Sequence, residues 1–67
     1  MTEKTVTTYL EAAGYELAGV DDRDTGSGKV YVLVYEGRGH EVVVWPDGRY
    51  EVDGAWDSRN VADLETL

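Results

Sequence analysis

Between Lys29 and Asp53 the chain reads KVYVLVYEGRGHEVVVWPDGRYEVD, two tight turns joining three strands. Val30, Val32, Val34, Val42, Val44, Tyr50 and Val52 alternate with their neighbours across both turns. Alternation with a period of two marks a sheet with one buried face. No other stretch limits the fold so strongly. The alternation also leaves a second row, Tyr31, Leu33, Tyr35, Val43 and Trp45, for the opposite face.

The register depends on the turns. Pro46-Asp47-Gly48 is a strong turn signal, because Pro presets the first position, Asp suits the second and Gly takes a left-handed third. That turn sets Trp45 opposite Arg49 and Val44 opposite Tyr50. For the preceding turn, a three-residue Gly37-Arg38-Gly39 loop is expected, with Val34 opposite Val42 and Val32 opposite Val44. A two-residue loop would exchange the faces of the strand before it.

The flanks read as helices. Val6, Tyr9, Leu10 and Ala13 follow the spacing of one helical stripe, which predicts a helix over residues 4–13, with Gly14 past its end. A short strand is expected over 15–20. The acidic, Gly-rich stretch 21–28 is expected to be a loop. Strands follow over 29–36, 40–46 and 49–53. A closing helix is expected over 58–66, capped by Asp57 or Ser58, with Trp56 packed under its start. The expected fold is α+β: an N-terminal helix, a four-stranded antiparallel meander and a short C-terminal helix, the helices packed on one sheet face. Residues 1–67 are expected to form one small domain.

A chain of 67 residues buries only about 60% of its unfolded surface, so its core is small. With no cysteine, neither disulfides nor thiolate metal sites can reinforce it. Fourteen acids against six Lys and Arg give a formal charge of -8. Nucleic acid and anionic membranes both require positive surface, so direct binding to either is not expected. An acidic chain instead meets a basic partner surface, and the attraction speeds association. No run is long enough to span a membrane, and MTEKTVTTYL is unlike a signal peptide. A soluble, cytoplasmic protein is expected.

Candidate chemistry fails on inspection. Asp22-Arg23-Asp24-Thr25-Gly26 starts like a calcium loop, but Gly26 stands where a ligand is needed, and Leu33 where the closing Glu belongs. Gly26-Ser27-Gly28-Lys29 lacks the first Gly and the Ser or Thr of a phosphate loop, and it leads into a strand. His40 is the only histidine; Glu36 and Glu41 are near it in sequence, and no nucleophile is paired with it. No enzyme activity, cofactor or metal is expected.

The aromatic row is the candidate site. Tyr31, Leu33, Tyr35, Val43 and Trp45, rimmed by Glu41, Arg49, Glu51 and Asp53, would bind a protein partner. The expected function is a non-catalytic interaction module, in its sharpest form an inhibitor that blocks a basic nucleic-acid-binding surface. The alternative is an acidic housekeeping domain that makes a homodimer through the same face. The order helix, strands, helix resembles that of double-stranded RNA-binding domains. Those domains carry basic residues at the start of the second helix, where this chain has Asp57-Ser58-Arg59-Asn60, so the resemblance implies topology and not RNA binding. In size and acidity the chain is similar to small phage-encoded inhibitors such as anti-CRISPR proteins, a likeness without a motif.

Overall fold

The computed structural model describes residues 2–56 and residue 64. An N-terminal helix is followed by an antiparallel sheet, so the fold is α+β. Helix α1 spans Glu3–Ala12. Thr2 caps it, its side chain accepting from the Thr5 amide at 3.2 Å. Val6 and Leu10 form its buried stripe. The Tyr15 amide donates to the Leu10 carbonyl and the Gly14 amide to that of Glu11, with Gly14 at φ 92°.

Five strands follow, paired in chain order, where four were expected: β1 (Glu16–Asp24), β2 (Lys29–Gly37), β3 (His40–Val44), β4 (Tyr50–Val52) and β5 (Ala55–Trp56). Two corrections to the expected strands follow, and the second supplies the fifth strand. Asp21 to Asp24 do not belong to a loop; they extend β1, pairing with Lys29 to Val32. An edge strand tolerates such charge because one side of its backbone meets water. The second correction lies past β4. Asp53 and Gly54 turn the chain at φ 52° and 87°, and β5 pairs back on β4. Asp-Gly at paired positive φ is the preferred two-residue hairpin turn.

The β3–β4 register agrees with expectation. Val44 faces Tyr50, and the Trp45 amide donates to the Arg49 carbonyl at 2.9 Å. The β2–β3 register does not. Val34 faces Val43 and Tyr35 faces Val42, so the loop is the two-residue Arg38-Gly39, at φ 54° and 80°. Gly37 stays in β2 for a packing reason. A Cβ placed there would lie 2.9 Å from the Cα of Tyr15.

This register exchanges the faces of β2. The core holds Val6 and Leu10 from α1 with Tyr15, Tyr35, Val42, Val44, Tyr50 and Leu64, and half-buried Leu33 and Val52 pack against it. The Tyr15 hydroxyl donates to the Leu64 carbonyl at 3.3 Å. Val32 and Val43 are also buried, but on the opposite face. Apart from Leu64, the closing helix expected over 58–66 lies outside the described residues. Among the described residues no helix is long and apolar enough to cross a membrane.

Candidate protein-binding face

Residues paired across antiparallel strands share a face. One row therefore crosses the whole sheet on the side away from the core: Gly19, Val34, Val43, Glu51 and Trp56. Trp45 lies at one flank of this row. Its ring centroid is 5.3 Å from that of Trp56, with the planes tilted by 40°. Edge-tilted aromatic pairs at this distance attract beyond simple burial. The indole Nε1–H of Trp45 donates to Glu51 Oε2 at 2.7 Å, which ties the ring to the neighbouring strand β4.

The turn sequence builds the other part of the cluster. Asp47 Oδ1 accepts the Arg49 amide at 2.9 Å, and Oδ2 accepts Arg49 Nε at 2.6 Å. Those bonds favour the ionised Asp47 and hold its carboxyl below the usual aspartate value, the backbone bond contributing most. The guanidinium so aimed lies 4.7 Å from the Trp56 ring centroid, a cation–π distance. Trp56 remains 55% exposed.

At the opposite flank, Glu36 faces Glu41. Directly opposed like charges destabilise a sheet. Asp53 lies beside them in its turn. Asp53 Oδ1 accepts the Glu41 amide at 3.0 Å, and Oδ2 accepts from His40 Nδ1 at 2.6 Å. An ionised carboxylate can only accept, so Nδ1 carries the proton and Nε2 is the open nitrogen. A histidine so oriented is one half of a hydrolytic relay. The shallow depression around it is lined by Glu36, Gly37, Gly39, His40, Glu41 and Asp53, none of which bears a hydroxyl or thiol. The partner of His40 is Asp53, not the sequence neighbours Glu36 and Glu41.

The expected aromatic row is divided by the β2 register. Glu41, Val43, Trp45 and Glu51 share the face away from the core, and Arg49 reaches it over Trp56. Tyr35 is buried and Leu33 half-buried on the helix side, and Val43 is buried on the far side, so none of the three offers docking surface. Tyr31 shares their face and is 69% exposed, beyond the reach of the cluster. Trp56 was missed as a member of this face; the Asp53-Gly54 dipeptide is the signal that could have placed it. No group of His, Asp and Glu suited to hold a metal occurs among the described residues.

The chain matches no protein-family model, no curated protein and no solved structure.

Proposed function

We propose that the protein is a non-catalytic binding module whose tryptophan face docks on a basic protein surface. The observation that carries this reading is Trp56, more than half exposed against Trp45, with Arg49 over its ring and Trp45 itself bonded to Glu51. Tryptophan and arginine dominate interface energetics, and a rigid aromatic centre loses little entropy on docking. The charge argues for the kind of partner. Glu36, Glu41 and Asp53 stand at the opposite flank of the same face, and the opposed Glu36–Glu41 pair would be relieved by a cation from outside. In its sharpest form the module occupies a partner's nucleic-acid-binding channel, its carboxylates standing where phosphates would lie.

The test replaces Trp56 with Ser. Trp56 lies outside the core cluster, so the variant should keep its melting temperature to within a few degrees. Affinity capture from lysate at low and high salt should recover a basic protein with the parent chain. The Trp56→Ser variant should recover it at least about tenfold less, as expected for loss of an interface anchor. Binding should weaken as salt rises. Equal capture by both chains would sink the tryptophan face as the docking surface. A parent chain that stays monomeric by light scattering and recovers nothing would sink the module itself.

A further inference from the structure

The two edges of the sheet differ. The β5 edge is two residues long, whereas β1 runs for nine and no described strand lies on its outer side. An edge strand offers outward backbone N–H and C=O groups that can receive a further strand. Two features limit this one: the register shifts between Leu17 and Gly19, and at Asp22 the amide donates to Asp21 Oδ1 at 2.9 Å while the carbonyl accepts from Arg23 at 3.0 Å, local bonds that an incoming strand would displace. This edge is acidic: Glu16, Asp21, Asp22 and Asp24 stand on β1 against one base, Arg23, which Asp21 engages at 2.6 Å, while Lys29 of β2 reaches Asp22 at 3.5 Å in an exposed pair that an incoming cation can replace. It is also apolar on one side. Leu17, Val20 and Tyr31 are 53%, 59% and 69% exposed. Val20 pairs with Leu33 and Asp22 with Tyr31, so Val20 and Tyr31 are diagonal neighbours on one face.

We propose that the β1 edge is a strand-addition site for an extended polypeptide segment rich in lysine or arginine. Backbone pairing would supply the ladder, Val20 and Tyr31 would contact its alternate apolar side chains, and Asp22 and Asp24 would attract its cations. A second copy of this chain does not fit, because pairing β1 with β1 sets acids against acids. The site is separate from the tryptophan face and does not depend on it.

The test titrates the isotope-labelled full chain with a peptide of alternating lysine and valine, followed by amide NMR. Saturable shift changes and slowed amide exchange should be confined to residues 16–24 and their β2 neighbours. A peptide methylated on its edge-facing amides loses ladder bonds and should bind about tenfold more weakly or worse. A glutamate–valine peptide should not bind. Converting exposed Asp22→Lys and Asp24→Lys together should abolish lysine–valine binding while circular dichroism stays unchanged. The Trp56→Ser variant should bind the peptide like the parent, which separates this site from the docking face. No saturable shift at millimolar peptide, equal affinity for the methylated peptide, or shifts centred on Trp45 and Trp56 would each overturn the proposal.

Discussion

On the helix side of the sheet, Tyr35, Val42, Val44 and Tyr50 are closed over by Val6, Leu10 and Leu64. On the far side, Trp56 stays more than half exposed, steadied by polar groups: Arg49 above it, and beside it Trp45 bonded to Glu51. The first face is held by exclusion of water, which has no direction and rewards completeness. The second buries Val32 and Val43, but around Trp56 it is held by hydrogen bonds and charge, which fix positions and leave surface available. In a chain this small the covered face is expected to carry most of the stability, and the part of the far face around Trp56 to carry little.

The sharpest way to break that contrast is Leu10→Ala. Leu10 is fully buried at the centre of the covered face, and truncating such a residue leaves a cavity that neighbours only partly fill. The expected loss is about 2–5 kcal/mol, a large share of a small domain's stability. Urea denaturation of the two variants side by side checks it. If Leu10→Ala costs no more than Trp56→Ser, the division of labour between the faces is wrong.

Gly37→Ala comes next and probes the margin of the covered face. The added Cβ would meet Tyr15 backbone and ring atoms at 2.9–3.0 Å, and backbone cannot rotate away. A loss of about 1–3 kcal/mol is expected, as for overpacking in a core. Thermal melting of the variant should show it; an unchanged transition would mean that β2 moves freely off Tyr15.

The same glycine explains what could be read in advance and what could not. Pro46-Asp47-Gly48 declares its turn through local chemistry alone, and Val44 meets Tyr50 as that chemistry requires. Gly37-Arg38-Gly39 offers two glycines for one left-handed stretch. Tertiary packing decides between them: Gly37 must stay bare for Tyr15, so Arg38 takes positive φ, which costs a non-glycine residue about 1 kcal/mol. That single choice sends Tyr35 and Leu33 to the core and leaves Val32 and Val34 facing the tryptophans' side. The extension of β1 through Asp21, Asp22 and Asp24 was hidden for another reason, since edge strands need no apolar alternation. The common face of Trp45 and Glu51, with Arg49 beside them, was legible because all three flank the Pro46-Asp47-Gly48 turn, whose local chemistry sets the register.

The smallest effect expected concerns Asp53, which ties the open face to β3. It stands at φ 52° in the turn that brings Trp56 back beside Glu51. Its carboxylate accepts from His40 and from the Glu41 amide, and these bonds, that of His40 foremost, hold its pKa below the ordinary aspartate value. The folded chain therefore binds this proton less readily than the unfolded chain does. The stabilisation is present above the unfolded pKa of about 3.9 and is lost as pH falls through the lowered folded value. Asp53→Asn isolates the charge, since Asn tolerates positive φ and its amide oxygen can still accept the Glu41 N–H. The variant should be slightly less stable than the parent at neutral pH. The gap should narrow as pH falls below the parent's unfolded carboxyl value, and it should shrink in high salt because the groups are exposed. Urea midpoints at neutral and acid pH measure it, with tryptophan emission reporting whether the β4–β5 turn loosens first. A gap that stays constant with pH would assign Asp53 to the backbone of the turn alone, and the open face would then owe its position to the Asp47–Arg49–Trp56 contacts without help from the histidine pair.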